Sequence, residues 1–127
     1  MRTIKFRLWD SFNEVYDYSE KKSLSDFFLL YEALKKGDND PIILQQFTGI
    51  EDTNEKEIYE GDIHLSETEG DEGLIKSYLP VVFDNGAFWL DESFKKDGTY
   101  LTLLCEYNEP LNIVGNIYEH PELLKIT

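Results

Sequence analysis

Of the residues from Glu51 to Glu72, ten are acidic and only Lys56 is basic. Carboxylates at this density suggest cation chemistry first. Asp52-Thr53-Asn54-Glu55-Lys56 sets side-chain oxygens at alternate positions, as the start of a calcium loop does. The pattern then breaks. Lys56 stands where a third ligand belongs, and Glu57 where the sharp turn needs glycine. His64, His120 and Cys105 complete the residues with metal or nucleophile chemistry, and no pair of them has zinc-ligand spacing. Nucleophilic catalysis needs a nucleophile, a base and an orienting group. His64 reads as a strand residue facing solvent, and His120 as a capping or surface residue. Cys105, inside LTLLCEY, reads as a small buried hydrophobe. There is no G-x-S-x-G, no G-x-x-x-x-G-K-[ST] and no G-x-G-x-x-G. Carboxylate pairs arise by chance in so acidic a chain. No catalytic residue, metal ligand or cofactor is assigned, and an enzyme is not expected.

The acids then matter as a surface. The 127 residues carry 26 acids and 12 bases, a net charge of −14. Residues 1–40 are nearly balanced, at net −1, and residues 41–127 carry the rest, at net −13. Such a field repels a phosphate backbone, so direct nucleic-acid binding is disfavoured. It attracts a basic protein, or it simply keeps the chain soluble. The candidate partner surface is Glu51, Asp52, Glu55, Glu57, Glu60, Glu67, Glu69, Asp71 and Glu72. Phe88-Trp89 with Tyr100 resembles a base-stacking platform, but the surrounding charge has the wrong sign, and core packing is the expected role. A lone cysteine fits a reducing compartment. The start, MRTIKFRLWD, has no apolar leader segment, and no apolar run matches a membrane span. The expected location is the cytoplasm.

The elements that must position these residues are mostly strands. IKFRLW (4–9) alternates, with Ile4, Phe6 and Leu8 on one side and Lys5, Arg7 and Trp9 on the other. Asp10 to Asn13 reads as a turn, and EVYDY (14–18) as a partnered strand. Over 23–37 the period changes. Leu24, Phe27, Phe28, Tyr31 and Leu34 share one helical face, with Ser23 as cap and Gly37 as stop. Phe27, Phe28, Leu30 and Tyr31 pack on their own sheet or, less simply, dock a protein. IILQQFT (42–48) is a strand and 49–56 a loop. EIYEGDIHLSE (57–67) is a strand interrupted at Gly61-Asp62. TEGDEG (68–73) reads as an exposed loop. Asn85-Gly86 between VVF and AFWL marks a type I′ hairpin. YLTLLCEY (100–107) and LNIVGNIY (111–118) are further strands, and HPELL one helical turn opened by Pro121. Close-set short strands indicate a small antiparallel barrel or sandwich.

Four blocks carry a family resemblance: IKFRLWD, QQFTGIEDTNEKEIYEGDI, VVFDNGAFWL and IVGNIYEHPELL. Their order and spacing resemble the YopX family of phage and prophage proteins. The blocks cover about half of the chain and span nearly its full length. The resemblance implies a mainly β fold of coiled antiparallel sheets that include an SH3-like barrel, with one N-terminal helix and a short C-terminal helical turn. It implies one domain over 1–127, with strands and helix in 1–56 and the barrel in 57–127. It brings no catalytic residues and no established biochemical activity. The sequence departs from the family pattern at Glu55, where glycine is usual, and at His120, where asparagine often stands. A wider or differently shaped turn is expected at Glu55, and a weaker cap at His120.

Two function classes follow. The first is a non-enzymatic phage accessory protein working by protein–protein contact in the bacterial cytoplasm, with room for a homo-oligomer. The second is an acidic DNA mimic that inhibits a host nuclease or DNA-binding protein. Mimicry requires the acids to lie on one face at phosphate-like spacing.

Overall fold

In the computed structural model of the chain, the described residues are 4–21, 23–34, 42–92 and 101–125. They form nine strands, one α-helix and three short 3-10 turns. The strands are β1 (Phe6–Asp10), β2 (Val15–Tyr18), β3 (Ile42–Glu51), β4 (Glu57–Tyr59) and β5 (Asp62–Gly70). They continue with β6 (Gly73–Asp84), β7 (Ala87–Asp91), β8 (Leu101–Leu103) and β9 (Ile113–Asn116). Helix α1 spans Leu24–Leu34. The proposed helix stop at Gly37 and the platform residue Tyr100 lie outside the described residues.

All strand pairing is antiparallel, in two sheets. The first has the order β2-β1-β3-β4 and the second β8-β7-β6-β5-β9. The protein is mainly β, and its second sheet curls into a half-barrel. Each sheet has a core. Leu8, Phe27 and Ile42, with Phe6, Leu30, Tyr31 and Leu44, pack α1 onto the first sheet. Ile58, Leu79, Val81, Leu90, Leu104 and Ile113 fill the half-barrel, with Ile50, Phe88, Tyr107 and Leu111 around them. Strand β4 hydrogen-bonds in the first sheet while Ile58 packs in the second core, so β3 and β4 join the two units.

Local chemistry accounts for most boundaries. Ser23 Oγ accepts the Asp26 N–H at 3.1 Å and caps α1. Phe27 is fully buried, while Leu24 and Leu29 on the same helix are largely exposed, so the expected apolar stripe is narrower than its pattern. Asn85 and Gly86 take φ 49° and 77°, the pair a type I′ turn requires. Gly49 does not end β3. The strand continues to Glu51 across a bulge in which Gly49 has φ 87°. Residues 68–73 are not a loop. Strands β5 and β6 pair up to Gly70↔Gly73, leaving only Asp71-Glu72 as the turn. The strand expected over 100–107 is shorter. It stops at Leu103, and Leu104–Glu106 forms a 3-10 turn that buries Leu104 and exposes Cys105. The buried-thiol reading of Cys105 is therefore corrected. Strand β9 is likewise confined to 113–116, and Pro121 opens the last 3-10 turn as expected.

Candidate functional site

The acidic stretch divides once it is folded. Asp52 is buried at 7% exposure. Its Oδ1 accepts the N–H groups of Asn54 and Lys56 at 2.8 and 2.9 Å, and its Oδ2 that of Ile113 at 3.1 Å. Burial pushes this carboxyl up, but those donors and the Lys56 charge outweigh it and hold it below the ordinary range. Asp52 is thus a clasp between the β3–β4 turn and β9, not part of a partner surface. Glu57 is half-buried and ion-paired with Lys5. Glu60 is half-buried, and its Oε1 accepts the Gln46 N–H at 2.9 Å. Asp52 and Glu57 are thereby withdrawn from the open acidic surface by the polar groups the fold brings to them, and Glu60 stands apart from it in a cleft, with one oxygen bonded. Glu51, Glu55, Glu67, Glu69, Asp71 and Glu72 remain exposed. The first two sit at the β3–β4 turn and the other four on the β5–β6 hairpin, so the fold places them in two groups.

Glu55 keeps the shape of a glycine turn. Its φ is 63°, in the left-handed region, and its N–H donates to the Asp52 carbonyl at 3.0 Å. Glu55 thus takes a backbone conformation that glycine adopts freely, and its side chain brings strain there.

The two sheets meet at a buried polar knot that alternation in β1 gave no reason to expect. Arg7 is 4% exposed. Its Nη2 donates to Asp62 Oδ1 at 2.6 Å and its Nε to Gln45 Oε1 at 2.5 Å. The guanidinium lies 4.4 Å from the ring centroids of both Tyr16 and Tyr59. Asp62 Oδ2 accepts the Tyr59 N–H at 2.8 Å. Burial pushes the Asp62 carboxyl up and Arg7 pulls it back. Burial also raises the phenols of Tyr16 and Tyr59, and neither hydroxyl has a hydrogen-bond partner among the described residues. Gln45 Nε2 is in the same position. Gly61 closes the knot. It has φ 90°, and a Cβ there would lie 2.6 Å from Gln45 Nε2.

His64 is buried at 1% exposure, which corrects the solvent-facing reading. Its Nδ1 accepts the Asn112 N–H at 2.9 Å, so in the neutral ring Nε2 carries the proton, 3.3 Å from the Tyr107 hydroxyl. The imidazole thereby ties β5 to the segment before β9. His120 is a partner of a turn: its Nδ1 accepts the Asn116 N–H at 3.2 Å, and its ring fills the space left by Gly115. Among the described residues, no group of three His, Cys, Asp or Glu side chains is placed to hold a metal ion, and no helix is long and apolar enough to cross a membrane.

Two surface features remain. The first is the end of the β5–β6 hairpin. Strand β9 pairs with β5 only over Asp62–His64, and β7 pairs with β6 only over Val81–Asp84. Beyond them the hairpin is a two-stranded arm, exposed from Glu67 to Lys76 except for half-buried Gly70. Leu74 and Ile75 on it are 60% and 55% exposed. The second feature is a cleft of about 200 Å³ at the seam between the sheets, lined by Leu44, Gln45, Glu60, Gly61, Val81, Val82, Phe83, Ile117 and Tyr118.

The half-barrel, its companion sheet and the single helix have a counterpart among solved structures. The crystal structure of protein EF1440 from Enterococcus faecalis superposes with a TM-score of 0.58 at 20% sequence identity, covering 98% of this chain and 99% of that one. This likeness is one of fold. The sequence matches the YopX family, described as YopX protein, over residues 5–125, and the chain belongs to that family. No curated protein matches it.

Proposed function

We propose that the chain is a non-enzymatic accessory protein, of the phage and prophage kind its family resemblance implies, that works by protein–protein contact in the bacterial cytoplasm. The observation that carries this reading is the β5–β6 arm. Large aliphatic side chains are ordinarily drawn into a core. Here Leu74 and Ile75 stand exposed on a two-stranded projection, flanked by Glu67, Glu69, Asp71 and Glu72. An isolated hairpin gains little stability from such residues. Leu74 and Ile75 are consecutive in β6 and so point to opposite faces, and each face of the arm presents one exposed aliphatic side chain among polar residues, an arrangement open to contact. The partner that fits is a basic protein with an apolar slot. A second copy fits poorly, because pairing two arms would oppose their carboxylates, and the whole chain is at −14.

DNA mimicry is less well supported. Asp52, Glu57 and Asp62 are occupied inside the fold, Glu60 is half-buried in the seam cleft, and the six exposed acids of that stretch fall in two separate groups.

The test is affinity capture with mass spectrometry, using wild type and the L74S/I75S variant as paired baits, followed by binding of the purified partner to each. A basic partner bound at least tenfold more weakly by L74S/I75S is the expected result. Equal capture by both baits rejects the arm as the contact element. A partner displaced by DNA competitor and lost with modest salt would favour mimicry.

A further inference from the structure

The seam cleft holds an unexplained carboxylate. Glu60 is half-buried, and burial pushes its carboxyl up, offset only in part by the Gln46 N–H and by Arg7. No Lys, Arg or His among the described residues lies within ion-pairing distance of it. Its Oε1 is used by Gln46, and Oε2 has no hydrogen-bond donor among the described residues. Glu60 and Tyr118 line the same cleft, and the Tyr118 ring lies close to Gly61, where a Cβ would meet its Cε2 at 3.4 Å; burial first, and the Glu60 charge after it, raise the Tyr118 phenol. Tyr118 and Phe83 both line the cleft and are 37% and 51% exposed, and Val82 and Ile117 line it with them.

We propose that this cleft receives one lysine or arginine side chain of a protein partner, its cation between the Glu60 carboxylate and the Tyr118 ring and its aliphatic stem along Val82 and Ile117. Four arguments select this occupant. An aromatic face beside a carboxylate favours a cation, and weakly hydrated organic cations most. Apolar walls suit a methylene stem. A hard metal ion needs about six or more oxygen ligands, and the cleft offers few. The size also agrees, since a cavity of about 150 Å³ holds one benzene ring and this cleft is of about 200 Å³. For its biology the proposal rests on the interaction reading above, but its test uses no partner, so the two fail separately.

The experiment is an NMR titration of the full chain with n-butylguanidinium and n-butylammonium chloride, against sodium chloride at equal ionic strength and against 1-pentanol as the neutral counterpart. Saturable shifts confined to Glu60, Gly61, Val82 and Tyr118, with either organic cation, are expected. E60Q retains an acceptor for the Gln46 N–H, and its affinity for the cations should fall about tenfold or more, equivalent to about 1.4 kcal/mol. Y118L keeps apolar bulk without the ring and should bind several-fold more weakly. Shifts of equal size with 1-pentanol, unchanged binding in E60Q and Y118L, or shifts that map to the 67–76 arm would each overturn the proposal.

Discussion

Arg7 Nη2 and Asp62 Oδ1 meet at 2.6 Å although 55 residues separate them, and both are almost fully buried. Strand β1 of the first sheet is thereby joined to the start of β5 in the half-barrel. A buried pair of this kind gains little over an apolar replacement, but half of it is costly. R7A should therefore cost about 3–5 kcal/mol, because it leaves the Asp62 carboxylate buried and unpaired. D62A should cost a similar amount, and R7A/D62A clearly less than the two together. Urea unfolding of the four proteins measures the coupling. Strict additivity would mean that the pair does not couple the sheets.

Asp52 predicts an acid-sensitive clasp. Its carboxyl is held below its usual value of 3.8 in the folded chain. A depressed folded-state value contributes stability that is full above the unfolded value and is lost as pH falls through the folded one. Wild type should thus lose stability below about pH 4. D52N has one carboxylate acceptor fewer for three N–H donors and should be less stable by about 1–3 kcal/mol at neutral pH. Its acid slope should be shallower. Urea midpoints from roughly pH 3 to 7 check both statements, and parallel pH profiles would remove Asp52 from the account.

Glu55 predicts a gain. At φ 63° a residue with a side chain is strained by about 1–2 kcal/mol, against an entropic cost of roughly 0.5–1 kcal/mol for glycine. E55G should therefore stabilise the protein by about 0.5–1 kcal/mol, readable as a rise in Tm. A lower Tm would mean that the Glu55 side chain makes a compensating contact.

Gly115 predicts a clash. A Cβ there would lie 2.6 Å from His120 Nδ1 and 2.9 Å from its Cγ. G115A should cost about 1–3 kcal/mol by displacing the ring that accepts the Asn116 N–H. In an H120A background the added methyl should cost much less. A double-mutant cycle by thermal unfolding reads this directly, and an unchanged cost would place the strain elsewhere.

Features set by neighbours in the chain were legible in the sequence. Asn85-Gly86 specified its hairpin because only a few residues tolerate two successive positive φ values. Ser23 and the changed period marked α1, and the alternation in 4–9 marked β1. Pro121 marked the last 3-10 turn. The YopX blocks, spread over most of the chain, carried the fold class with them. The acidic excess of 41–127 and the absence of recognisable catalytic motifs were also composition-level facts.

What the sequence left open depended on contacts across distance. Arg7 and Lys5 look alike in an alternating strand. Arg7 is buried because Tyr16, Gln45, Tyr59 and Asp62 converge on it from four other segments. Asp52 and Asp71 look alike in an acidic run, but Asp52 has three backbone donors around it, one of them 61 residues away. Residues 68–73 carry loop composition, yet pairing with β6 extends them into an arm, since register is a property of two strands. The sequence determined the local conformations and the sign of the surface. Tertiary structure alone decided which charges are used inside the fold and which are left exposed, because burial and hydrogen bonding are set by the segments that meet and not by the residue's type.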